Sequence, residues 1–209
     1  MNLSQEIEKR ATVTGKHALR PDELRRVLEA TDDPRRRSLI ATAAGAGLRR
    51  KDMVNLEVSN LSTIGDSPRA ITIDYHEHKK GRAWRSWLAP DLARHLLTWL
   101  QLRDSPTRWV WPSTYNHNET GHISGKTAYN WFQSSLDAAG LNQRPFHALR
   151  STCIKILHAQ GWNDQEISEQ TGDTIRVIRR HYLTPTEQEM TNRTLQTRFL
   201  TDQPNDPDG

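Results

Sequence analysis

Apolar residues recur every three or four positions through most of this chain, and one stretch breaks that period. RPDELRRVLEAT opens with Pro21 at a first helical turn, followed by Asp22 and Glu23, a helix start by composition and position. DPRRRSLIATAAGAG keeps helical spacing up to a stop at Gly45 and Gly47, and LRRKDMVNLEV predicts a short helix running into an extended segment. Between Val58 and Leu88 the period shortens. VSNLSTI, AITIDY and WRSWLAP are short, partly alternating and rich in β-branched or aromatic residues, and IGDSP and HKKG separate them. They predict three strands of a small antiparallel sheet. Helical spacing returns with PDLARHLLTWLQLR, with SGKTAYNWFQSSLDAAG stopped by Gly140, and with His147 to Gln160 stopped by Gly161. NDQEISEQTG and TIRVIRRHYL predict two short helices, and PTEQEMTNRTLQTRFL a last amphipathic one. The expected architecture is α+β and mostly α-helical: one domain over residues 17–200, a polar flexible lead over 1–16 and a frayed tail over 201–209.

Composition changes this picture little. A chain of 209 residues supports one sizeable core. Its 29 Lys and Arg against 25 Asp and Glu are a mild basic bias, so arrangement carries more than net charge. Arg outnumbers Lys and clusters in RRRSL, GLRRKD and RVIRRHY. The guanidinium fork matches phosphate oxygens, so clustered Arg favours a polyanionic partner, with a solvated charged face as the structural alternative. The single cysteine, Cys153, excludes an internal disulfide and a cysteine-based metal site, and its apolar setting points to a buried, inert thiol. With no apolar run of membrane-spanning length and no signal-peptide pattern after Met1, the expected location is cytoplasmic.

Four elements carry candidate chemistry. Arg49 follows two glycines at a helix start in GAGLRRKDMVNL. Lys79 and Lys80 lie in a predicted hairpin turn, where an ammonium can serve as a mobile general acid. His147 and Arg150 in HALR are three apart, hence on one helix face, and both can donate to one anion. Tyr182 ends a basic helix. A phenol with a pKa near 10 is a poor nucleophile at neutral pH, unless cations stabilise the developing charge and a base takes its proton. Each element also has a structural alternative: a surface Arg, a solvated turn, a hydrogen-bonded His, a half-buried aromatic.

Their order and spacing resemble the tyrosine recombinases, the phage integrase family. Gly47-Leu48-Arg49 with Asp52 matches the family's first box, Lys79 its hairpin lysine, with Lys80 close by, and His147 with Arg150 its His-x-x-Arg. Gly172 is followed by Asp173, and Tyr182 comes nine positions after Asp173, the family's spacing to its nucleophile. The resemblance implies a fold shared with type IB topoisomerases. It also implies cleavage of double-stranded DNA at a specific target site through a 3′-phosphotyrosyl intermediate. Arg49 and Arg150 would hold the phosphate, His147 would bind it or assist the tyrosine proton, and Lys79 would protonate the leaving 5′-oxygen. No metal or other cofactor is implied, and the implied assembly on DNA is an oligomer of up to four protomers, in a bacterial or phage setting.

Two departures stand out. The family places a neutral or cationic donor where this chain has Asp173, an anion expected to repel phosphate unless protonated or turned onto a nearby Arg such as Arg176 or Arg179. Only a short lead precedes His17, where the family usually carries an N-terminal helical domain, so the expectation is either a catalytic-domain fragment or a compact member that grips DNA from one side. The chief rival is a DNA-binding regulator, with NDQEISEQTGDTIRVIRRHYL as a helix-turn-helix and Tyr182 as packing, and a catalytically weakened recombinase fold is the intermediate case. His76, Glu77 and His78 form only a weak metal motif. The tryptophans in WRSW and RWVWP read first as packing and second as base-stacking platforms.

Overall fold

The computed structural model describes residues 14–76, 81, 83–104, 106–113, 121–185 and 187–197. A single turn of 3₁₀ helix, Thr14–His17, leads into α1 (Pro21–Glu29), α2 (Pro34–Ala46) and α3 (Arg50–Val54). Three strands follow, β1 (Leu61–Ile64), β2 (Ala70–His76) and β3 (Ala83–Leu88). The rest is helical: α4 (Pro90–Leu102), α5 (Gly125–Ala138), α6 (Ala148–Ala159), α7 (Asp164–Thr171), α8 (Ile175–His181) and α9 (Glu187–Gln196). The expected α+β class and element order hold. Val58–Asn60, expected at the start of a strand, instead forms a 3₁₀ turn. Residues 14–16, expected in a flexible lead, belong to the first turn, where a Cβ on Gly15 would lie 2.7 Å from the carbonyl oxygen of Tyr182.

Helix α2 is the axis of the core. Asp33 caps it, accepting from the Arg35 amide at 2.8 Å, and Gly47 ends it in the left-handed region at φ 65°. Ser38 to Ala44 are all buried, as expected of a helix without a polar face. Alanines let α4 and α6 pack closely on it, and a Cβ on Gly45 would come within 2.4 Å of Leu88. Trp111 is fully buried beside α2 and donates to the Ser38 hydroxyl at 2.9 Å, the packing role expected first for it.

The sheet is antiparallel in the order β1-β2-β3, with Leu61 opposite Ile73 and Ile71 opposite Leu88. Ile71, Ile73 and Tyr75 alternate onto the core face. Strand β3 is tied to the end of α7 by several side chains, Gln170 among them: it accepts from the Trp87 amide at 3.1 Å and donates to the Trp87 carbonyl at 2.6 Å and the Gly45 carbonyl at 3.2 Å. Gln170 is 2% exposed, so truncation strands these backbone groups away from water. Gln170→Ala is expected to cost about 2–3 kcal/mol in urea unfolding, at the upper end for one side chain. A cost below about 0.5 kcal/mol would mean water replaces the amide.

Beyond α8, the described side chains of α9 from Glu189 onward are exposed. An ion pair between Lys155 and Glu189 (2.8 Å) links it to α6.

Candidate active site

Three helix ends converge where α2, α6 and α7 meet. Gly47 turns the chain at the end of α2 so that Arg49 becomes the N-terminal flank of α3. His147 begins α6, with Arg150 in its first turn. Gly172 ends α7 in the left-handed region at φ 72° and sets Asp173 in the short turn before α8. A bulky residue at Gly47 would be strained by its φ and by Cys153 Sγ, 3.0 Å from a Cβ placed there.

The convergence brings both arginines onto one carboxylate. Arg49 Nη2 donates to Asp173 Oδ1 at 2.7 Å. Arg150 donates to Asp173 Oδ2 through Nε at 3.0 Å and lies 2.6 Å from it through Nη2. Arg150 is 2% exposed, and its remaining donors reach the Thr171 carbonyl at 2.7 Å and the Gly47 carbonyl. Arg49 is only partly covered, so the cluster opens to solvent on its side. Asp173 is thus turned onto arginines, the alternative to protonation, but not onto the nearby examples Arg176 and Arg179. Arg179 instead pairs with Asp164 on its own helix pair, and Arg176 is exposed. The reason is the turn: Ser168 Oγ donates to the Asp173 carbonyl at 2.7 Å, and the side chain then points inward to the arginines rather than along α8.

Burial pushes the Asp173 carboxyl up, but the charges and hydrogen bonds of Arg150 and Arg49 outweigh it and hold the group below the usual carboxylate range. It is an anion at neutral pH.

Beside this cluster, His147 Nε2 lies 2.7 Å from the Tyr182 hydroxyl. Tyr182 follows α8 as its C-terminal flank and is 4% exposed, packed with Ile154, Ile167 and Ile178 in a small second core. Burial and the Asp173 charge raise the phenol above its ordinary value, against the opposing pull of Arg150 and Arg49. Desolvation and the Arg150 charge lower the His147 imidazole. At neutral pH the pair is a neutral phenol bonded to a neutral imidazole. His147 and the Arg150 guanidinium both bear on the Tyr182 hydroxyl, while Arg150 also holds Asp173.

These five side chains come from distant parts of the chain. The family model described as the Phage integrase family matches residues 17–189. The chain belongs to the phage integrase family. Its fold is that of the tyrosine recombinase catalytic domains. A solved XerA recombinase superposes with a TM-score of 0.70 at 19% identity, covering 87% of this chain and 66% of that one. The pre-cleavage complex of the XerH site-specific recombinase bound to difH substrate gives 0.64 at 18%, covering 85% and 53%. The lambda integrase catalytic core gives 0.57 at 19%, covering 74% and 90%. This chain thus spans no more than about two-thirds of the XerA and XerH chains. No curated protein matches it in sequence.

Within the family frame, the hairpin candidates Lys79 and Lys80 lie outside the described residues, as do Glu77 and His78. Among the described residues no group of three His, Cys, Asp or Glu side chains could hold a metal ion, and no helix is long and apolar enough to cross a membrane. Asp52, the acidic member of the first box, is buried. Cys153 is buried as expected: loss of water pushes its thiol up to about 12, and Sγ donates to the Gly45 carbonyl at 3.2 Å. Trp84 donates to the Glu169 carbonyl at 2.9 Å, a packing role, while Trp87 is 39% exposed. Sequence reasoning missed the Thr171 and Gly47 carbonyls as partners of Arg150, and Gln170 as the tie between β3 and the end of α7. Their contributions are backbone carbonyls and a buried amide, which leave no signature in residue type.

Proposed function

We propose that this protein cleaves and rejoins double-stranded DNA at a specific site through a covalent 3′-phosphotyrosyl intermediate, acting as a site-specific recombinase. One observation carries the reading: Arg49 and Arg150, far apart in sequence, share a single oxyanion while Tyr182 is bonded to His147 beside them. Two guanidinium groups that grip a carboxylate can grip the non-bridging oxygens of a phosphodiester, whose charge grows in the transition state. The Tyr182 oxygen would attack phosphorus as the bond to the 5′-oxygen breaks. His147, neutral at pH 7, would receive the phenol proton, and Lys79 would deliver one to the departing 5′-oxygen. The bond to Tyr182 conserves the phosphodiester energy, so a 5′-hydroxyl can reverse the step without a nucleotide or a metal. XerH and lambda integrase are seen with DNA, the latter also as a tetramer on a Holliday junction, which supports a duplex partner and an assembly of up to four protomers here. Cytoplasmic action on bacterial or phage DNA fits this reading.

The test is covalent capture. The protein is mixed with a pool of randomised duplexes, each nicked so that a short strand is lost after cleavage, and denatured adducts are isolated and sequenced. Adducts sharing one sequence support the reading. Duplex retained on native gels without any adduct supports the second one, a DNA-binding regulator or weakened recombinase fold, which the Asp173 carboxylate between the arginines favours. Because the imidazole sits below its ordinary value, adduct formation is expected to hold level from neutrality down to pH about 6.5 and to fall below it as imidazolium forms. A rate that climbs as pH drops through that range would remove His147 as the base.

A further inference from the structure

Asp173 does more than stand near the arginines. Its two carboxylate oxygens are divided between them, Oδ1 on Arg49 and Oδ2 on Arg150, as two non-bridging oxygens of one phosphate would be. Burial keeps water from competing, and the backbone is secured on both sides: Ser168 Oγ holds the Asp173 carbonyl, and Thr174 caps α8 by accepting from the Val177 amide. The geometry points to an internal latch: the Asp173 carboxylate occupies the phosphate seat of the free protein as an intramolecular stand-in, and DNA engages the arginines only by displacing it. The inference rests on the recombinase reading and adds how that site is regulated.

The latch has two consequences. A tethered anion competes at high effective concentration, so the open fraction of molecules, and with it the apparent affinity for the scissile phosphate, is reduced in proportion. Asp173 and Tyr182 also flank the same seven-residue helix, α8, so the movement that withdraws the carboxylate shifts the helix that buries the phenol. An organising role for Asp173, in which the carboxylate holds both forks ready for DNA, predicts the opposite behaviour on its removal.

The test uses the full chain and inorganic phosphate as the probe, with chloride at matched ionic strength as control. Asp173→Asn removes the charge and leaves two guanidinium groups facing each other, so its Tm in chloride is expected to fall. Phosphate well above its dissociation constant is expected to restore roughly 3 °C or more, while the wild-type Tm is unmoved because its seat is filled. With the nicked duplexes, Asp173→Asn and Asp173→His are both expected to form adduct faster, on the order of tenfold if nine molecules in ten are latched. A variant that ignores phosphate, or stays unfolded at every phosphate concentration, overturns the latch, as does slower adduct formation by both variants. Phosphate stabilisation of Asp173→Asn with no adduct from any of the three proteins supports the latch and overturns the recombinase reading instead.

Discussion

Tyr182→Phe is expected to abolish the covalent DNA adduct while leaving the fold and duplex binding intact. The substitution removes one oxygen, the atom assigned to attack phosphorus. Its structural consequence is small. The ring still fills the second core with Ile154, Ile167 and Ile178, and what is lost is the hydroxyl's bonding to His147 and Arg150. The imidazole keeps an edge open to solvent, so water can take the place of the phenol, at a cost of about 1 kcal/mol. Circular dichroism and native gels should therefore match the wild type, and the denaturing gel should lose its shifted band. An adduct that survives with phenylalanine at this position would move the nucleophile elsewhere and with it the whole mechanism. Unfolding of the variant by several kcal/mol would instead make Tyr182 a structural residue.

The largest expected loss of stability comes from Arg150→Met, a replacement of similar length with no charge. Arg150 is almost wholly covered and satisfies the Asp173 carboxylate and the carbonyls of Thr171 and Gly47. Removing one partner of such a cluster leaves a buried anion half-compensated, which typically costs about 3–5 kcal/mol. The urea midpoint should drop accordingly with its slope unchanged. Arg150→Lys should fall between, because a single ammonium cannot span the carboxylate and both carbonyls.

The sign of the pH dependence gives a second check. Asp173 is held below its unfolded value, so its contribution is present above the ordinary carboxylate range and is lost as pH falls through the lower folded value. Glu23 is held low in the same way: burial raises it, but Arg144 and the Arg20 amide more than compensate. Wild-type stability should thus decline below pH about 4, and Arg150→Met should show a shallower decline. An unchanged acid limb in the variant would mean that Asp173 draws its stabilisation from Arg49 alone.

Most elements were legible because their signals are local. Pro21 and Pro34 at first turns, the Asp33 cap, and glycines in the left-handed region at 47, 140, 161 and 172 mark boundaries through backbone sterics that act within a few residues. The three strands followed from their changed period, although Val58–Asn60 curled into a turn whose extended neighbours gave no local warning. The candidate side chains were legible for a different reason. Their order and spacing resemble a family motif, a pattern that residue types and their separations carry without any knowledge of the fold.

What escaped was which of these groups touch. Proximity along the chain offers Arg176 and Arg179 as examples of a possible partner for Asp173, yet its partners lie 124 and 23 residues away. The sequence by itself determined the helices, the sheet, the buried thiol and the roster of chemically capable residues, because periodicity, capping and residue type are properties of a few neighbouring positions. Only the tertiary structure decided that a carboxylate fills the space between Arg49 and Arg150, and that the phenol is tucked against His147. Those contacts depend on how the ends of α2, α6 and α7 meet, a relation set by the packing of the whole core and written in no single segment of the chain.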